Sequence, residues 1–305
     1  MCRERDSRAL FDCMNGVLLV DKPQGLTSHD VVARARRALG TRAIGHAGTL
    51  DPMATGLLIL LVGYATRLNE YVLHRDKSYS ATLKLGERTD TDDAEGRILQ
   101  TRPVPDVSLA RLNELAAKFT GEIEQVPPQY SAVSKNGQRA YVLARKGEHV
   151  EIDPRRVTIT NLRFITVNLP LAEFEMSCGS GTYVRSVARD LGEALGCGAH
   201  LVALRRTRIG DFGLDQAVSV ENIRADRMLK PDAAVTHLPN VQLDTGASLK
   251  FMLGQPSVLP GWTTGVQAVV GVYDQRQRLI GIGAVHEHES GGQLKPSKVF
   301  DIDAA

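Results

Sequence analysis

A chain of 305 residues can bury a sizeable core and is long enough for about two domains. It is 43% hydrophobic and 24% charged, and its longest aliphatic run, Leu57 to Val62, is far too short to span a bilayer, so no membrane segment is expected. A net charge of +2 is too mild to announce nucleic acid by itself. Cys2, Cys13, Cys178 and Cys197 are too unevenly spaced for a disulfide framework or a zinc knuckle, so a reducing, cytoplasmic setting and no structural metal are expected.

Taken in chain order, residues 1–14 mix both charge signs without the apolar stretch of a secretory signal and are expected to form a loose extension. Ser28 can cap a helix in which Val31, Val32, Ala35, Ala38 and Leu39 follow the helical period, closing at Gly40 and turning Arg34, Arg36 and Arg37 outward. Residues Gly45 to Gly63 then place Asp51 among Gly48 and Gly56 and beside Pro52, directly before a buried strand over Leu57–Val62. On residue types alone this loop has two readings, a rigid scaffold presenting a reactive carboxylate with His46 nearby, or an Asp-Pro turn whose aspartate bonds its own backbone.

Tyr79, Ala81, Leu83 and Leu85 alternate with Ser78, Ser80, Thr82 and Lys84, which reads as a half-buried strand. The acidic, turn-rich run Glu87–Gly96 is expected to be a surface loop, without the spacing of an EF-hand. Leu109, Leu112, Leu115, Ala116 and Phe119 mark a second amphipathic helix, closed by Gly121. A flap around 124–153 follows, and between Ala132 and Arg156 the cations Lys135, Arg139, Arg145, Lys146, Arg155 and Arg156 outweigh Glu148, Glu151 and Asp153; an ordinary surface hairpin fits the same residues. A strand through Phe174, Met176 and Cys178 leads to a helix capped by Thr182, with Val184, Val187, Ala188, Leu191 and Leu195 on its core face. Arg205, Arg206 and Arg208 form another basic cluster, and the basic patches together suit an RNA backbone. Residues 225–237 lose periodicity and read as a linker. Short strands over Val266–Tyr273, Leu279–Val285 and Leu294–Phe300 then predict a small β-rich module. Helices and strands intermingle without regular alternation, which favours an α+β class with a mixed or antiparallel central sheet and flanking helices.

The segment from Gly45 to Leu58, GHAGTLDPMATGLL, resembles the signature of the TruB-type tRNA pseudouridine synthases. The match extends upstream to Gly16–Ser28 and downstream to Gly181–Ser186 and Leu204–Gly210, in the family's order. The resemblance implies a pseudouridine synthase fold over 15–224 and, by position, a PUA-like RNA-binding domain over 238–305. It also implies isomerisation of uridine to pseudouridine in tRNA, at uridine 55 of the T-arm, without metal or cofactor. By the same resemblance Asp51 is the catalytic aspartate and Arg185 the arginine paired with it. Tyr79 is the stacking tyrosine, assisting removal of the C5 proton; Tyr183 and Leu204 line the base pocket; His46 inserts near the flipped nucleotide; and Lys22 supports the loop or meets a phosphate. The implied partner is tRNA, bound by a monomer with no obligatory protein partner. Two alternatives remain: a guide-RNA-directed synthase within a ribonucleoprotein, and a non-catalytic RNA-binding or RNA-folding protein.

Overall fold

The computed structural model describes residues 14–131, 133–135, 137–145, 150–260, 262, 268–289 and 291–300. Thirteen of the fourteen residues of the expected extension, and part of the expected flap, lie outside them.

The strands in chain order are β1 (Gly16–Lys22), β2 (Ile44–Ala47), β3 (Thr55–Val62), β4 (Lys77–Leu85), β5 (Glu87–Thr89), β6 (Ile98–Thr101), β7 (Gly121–Gln125), β8 (Ser134–Lys135), β9 (Gln138–Arg139), β10 (Arg155–Asn168), β11 (Leu171–Cys178), β12 (Ala199–Ile209), β13 (Phe212–Gly213) and β14 (Val218–Ser219). Ten of them form one sheet in the order β14-β1-β3-β12-β4-β11-β10-β7, with β2 paired to β3 and β13 to β12. The β1–β14 and β3–β12 pairs are parallel and the others antiparallel, so the class is α+β with a mixed central sheet.

Burial explains why β3 carries an unbroken apolar run. Leu57, Ile59 and Leu61 pack with Val17, Leu19 and Ile209 on one face, whereas Leu58, Leu60 and Val62 pack with Leu18, Val20 and helix residues Val31, Val32 and Ala35 on the other. A strand covered on both faces has no reason to alternate polar and apolar side chains. β4 does alternate: Tyr79, Ala81, Leu83 and Leu85 face a core built with Val184, Val187, Ala188 and Leu191 of helix Val184–Ala194.

Several local expectations change. Helix Ser28–Leu39 is capped by Thr27, not Ser28, in a capping box with Asp30. Helix Val184–Ala194 starts at Tyr183 without a side-chain cap, and the Thr182 hydroxyl donates to the Gly179 carbonyl instead. Helix Leu109–Ala117 ends before Gly121, which opens β7 at φ +102°. The run 87–96 is not a surface loop: β5 and β6 pair, and Thr89, Asp92 and Asp93 are buried. Arg206 is no RNA-facing residue either, being only 1% exposed.

Beyond β14 the stretch expected as a linker forms short 3-10 turns, and Ala234 and Val235 are buried in the same cluster as Val17 and Ile59. A second sheet runs β15 (Asn240–Gln242), β16 (Ser257–Pro260), β17 (Ala268–Tyr273), β18 (Leu279–His288) and β19 (Gly291–Val299), in the order β15-β17-β18-β19-β16. Leu279, Ile282 and Phe300 join the cluster of the first sheet, and Lys298 pairs with Glu70 at 2.6 Å, so the β-rich module is seated on the main body.

Candidate active site

The stretch Lys22–Ser28 and strand β12 converge on the loop that carries Asp51. Ser28 Oγ accepts from the Leu50 N–H at 2.9 Å and donates to the Leu50 carbonyl at 3.2 Å. On the other side of Asp51, the Pro52 carbonyl accepts from the Gly25 N–H at 2.8 Å and from Lys22 Nζ at 3.4 Å; Lys22 also donates to Pro23 and Leu26. From below, Arg206 donates through Nε to the Leu57 carbonyl at 2.8 Å and through Nη2 to that of Gly48 at 3.0 Å. Gly56 sits at φ +99° and presses on the same strand, where an added Cβ would lie 2.3 Å from the Arg206 carbonyl oxygen. The peptide groups flanking Asp51 are therefore held on both sides while its side chain stays 36% exposed.

That carboxylate meets a guanidinium: Arg185 Nε lies 2.9 Å from Asp51 Oδ2. The same guanidinium reaches Asp93 Oδ2 at 3.4 Å and donates to the carbonyls of Thr91 at 2.9 Å and Tyr130 at 3.0 Å. Asp93 is itself fixed by the Thr91 hydroxyl at 2.6 Å and the Glu95 N–H at 3.1 Å. One helical turn on, Arg189 pairs with Asp92 at 2.8 Å. An arginine held by this many acceptors presents a fixed fork, and two carboxylates sharing it offset its burial.

Tyr79 is buried, and its opposite number in the β4–β12 register is Arg206. Burial pushes its phenol above the usual tyrosine range, against the pull of Arg206, which keeps it neutral. Burial lowers the pKa of His46, helped by His29 and Arg206, so its imidazole is neutral at pH 7. The His46 ring stands edge-on to His29, 5.2 Å between centroids, and its Nδ1 is buried without a partner among the described residues. Tyr183 is clamped by its backbone, its N–H donating to Gln125 Oε1 at 2.8 Å and its carbonyl accepting from Nε2 at 3.1 Å.

Asp51, His46, Tyr79, Tyr183, Arg185 and Leu204 line one cleft of about 1010 Å³. Lys22 does not: it is sealed beneath the loop, burial lowers its pKa against the charge of Asp51, and its ammonium is spent on three carbonyls, so it props the loop and has no room for a phosphate. Sequence reasoning missed Ser28, Arg206 and Asp93. A usable signal for the last was present, since Arg185 and Arg189 lie one helical turn apart and Asp92-Asp93 is an acidic pair that could meet them. Ser28 and Arg206 left no such signal, because the groups they hold are backbone carbonyls and amides.

A family model described as the TruB family pseudouridylate synthase N-terminal domain matches residues 36–184, and one described as the tRNA pseudouridylate synthase B C-terminal domain matches 185–241. The chain is 43% identical over 307 residues to a protein from Burkholderia lata named tRNA pseudouridine synthase B, covering 97% of this chain and 92% of that one. It is 44% identical over 303 residues to a protein of the same name from Cupriavidus metallidurans, covering 95% of each. Among solved structures, a chain of a Cbf5–Nop10–Gar1 complex superposes with a TM-score of 0.75 at 25% identity, covering 97% of this chain and 88% of that chain.

Proposed function

This chain belongs to the TruB family of pseudouridylate synthases, and from that premise we propose that it isomerises uridine to pseudouridine in tRNA, at uridine 55 of the T-arm, with Asp51 as the catalytic carboxylate. The observation that carries the reading is the 2.9 Å pair between Arg185 and a partly exposed Asp51 on a loop pinned on both sides.

The reaction breaks the N1–C1′ bond, turns the uracil, forms C5–C1′ and moves a proton off C5 while N1 gains one. No electron is transferred to an acceptor and no atom is added, so one ionised carboxylate and a pocket for the turning base suffice, without metal or cofactor. Arg185 orients the Asp51 carboxylate toward the cleft and places a compensating positive charge beside it. The neutral Tyr79 ring and Leu204 hold the uracil by stacking and van der Waals contact, with Tyr183 lining the same cleft. Reaching a sugar carbon requires the nucleotide to leave its stack, at a cost of a few kcal/mol. His46, with an imidazole that can stack on neighbouring bases, is the residue suited to fill the gap. The exposed Arg34, Arg36, Arg37 and Arg42 and the β-rich module over 238–305 would extend the phosphate footprint.

The chain would work as a monomer in the cytoplasm without a protein partner. Against a guide-RNA-directed role stands the identity of 43–44% to proteins named as tRNA enzymes, compared with 25% to a chain of the Cbf5 complex. A non-catalytic role leaves the Asp51–Arg185 pair without a purpose. The test is to incubate the purified chain with an unmodified tRNA transcript, without guide RNA, and map pseudouridines. A single modified site in the T-loop is expected, and its loss in Asp51→Asn with RNA affinity retained. Turnover by that variant would refute the assignment of Asp51.

A further inference from the structure

On the reading just given, we propose that Arg155, stacked on Tyr183 at the rim of the cleft, grips a phosphodiester that flanks the target uridine.

A nucleotide entering this cleft brings backbone charge to a place where Asp51, Asp93 and Glu95 already face it. Most cations there are spent. Arg185 serves two carboxylates and two carbonyls, Arg206 serves backbone carbonyls, and Lys77 donates to the carbonyls of Leu73 at 2.8 Å and Arg75 at 2.6 Å. Arg155 differs. Its Nη2 donates to the Gly181 carbonyl, its Nε is buried with no acceptor among the described residues, and no described carboxylate pairs with it. Its guanidinium carbon lies 4.6 Å from the centroid of the Tyr183 ring.

Both partners are held in place. Gln125 clamps the Tyr183 backbone at N–H and carbonyl, and Gln125 is also the residue opposite Arg155 in the β7–β10 register. One residue thus anchors the backbones from which both ring and guanidinium project. A planar fork whose Nη1 has no acceptor among the described residues, stacked on an aromatic face and lining the nucleotide cleft, fits an anion with oxygens at fixed spacing, and a phosphodiester is the anion the substrate supplies.

The test uses the full chain and short T-arm RNAs that carry either the natural linkage or a neutral methylphosphonate on the 5′ or the 3′ side of the target uridine, read by single-turnover rate. With the natural RNA, Arg155→Ala should lower kcat/KM by about 10- to 100-fold, the worth of one hydrogen bond to a charged group. In the wild type, one of the two methylphosphonates should cost a similar factor. In Arg155→Ala that same substitution should cost nothing more, because the partner of the missing charge is already gone. Should the alanine variant fold poorly, Arg155→Gln keeps an N–H donor for the Gly181 carbonyl but no charge, and should show the same insensitivity. Losses that multiply, or a wild type indifferent to both neutral linkages, overturn the proposal, as these leave Arg155 a merely structural residue of the 179–182 turn. Absence of pseudouridine with wild type on the natural RNA would instead strike the functional reading itself.

Discussion

Ser28→Ala tests how the reactive loop is held. The Ser28 hydroxyl is buried and satisfies both polar groups of Leu50, the residue preceding Asp51, so its removal leaves a buried N–H and a buried carbonyl without partners. Each orphaned group costs roughly 1–3 kcal/mol, and with some relaxation of the loop the total should be about 2–4 kcal/mol. The helix is capped by Thr27, so none of this loss arises from capping. Catalysis should suffer as well, since a shift approaching 1 Å at Leu50 displaces the Asp51 carboxylate from its target, and misplacement of that size can cost on the order of 100-fold. Urea unfolding gives the stability change and single-turnover pseudouridine formation gives the rate. Ser108→Ala is the control. Ser108 caps helix Leu109–Ala117 away from the cleft, and its loss should cost about 1 kcal/mol with the rate unchanged. A Ser28→Ala protein with the stability loss of the control and an undiminished rate would refute the pinning argument.

Asp93→Asn keeps the volume of a buried side chain but removes one of the two charges facing Arg185; because Asp51 and two carbonyls remain on that guanidinium, the loss should fall below the roughly 3–5 kcal/mol of a fully broken buried pair, with a slower single-turnover rate. Gly56→Ala should unfold the protein or leave it insoluble, as measured by circular dichroism, because its Cβ would overlap the Arg206 carbonyl at a φ of +99°. Burial lowers Lys77 to about 8, well below its unfolded 10.5, so the unfolded state binds more protons between those values. The contribution of Lys77 to stability is therefore fullest above 10.5 and is lost as pH falls through 8. The stability difference between wild type and Lys77→Met should rise in favour of wild type across that window, and a flat difference would show that the lysine is not desolvated.

Much of this protein is legible along the chain because the relevant physics is local. The helical period from Val31 to Leu39 and the strand alternation from Tyr79 to Leu85 follow from which side chains need burial, and Gly48 and Gly56 mark where the backbone takes positive φ. The neighbourhood of Asp51 stands out for the same reason, since a carboxylate among glycines ahead of an apolar strand is a local pattern. Tertiary structure alone decided which charges face inward. Arg205 and Arg206 are adjacent and chemically identical, yet Arg205 pairs with Asp21 near the surface while Arg206 is buried beneath carbonyls about 150 residues away in the chain. Asp92 and Asp93 look like solvent residues of an acidic turn until helix Val184–Ala194 brings Arg185 and Arg189 against them. A buried charge is tolerable only where its partners arrive, and those partners lie on other strands and helices, where no local propensity can announce them.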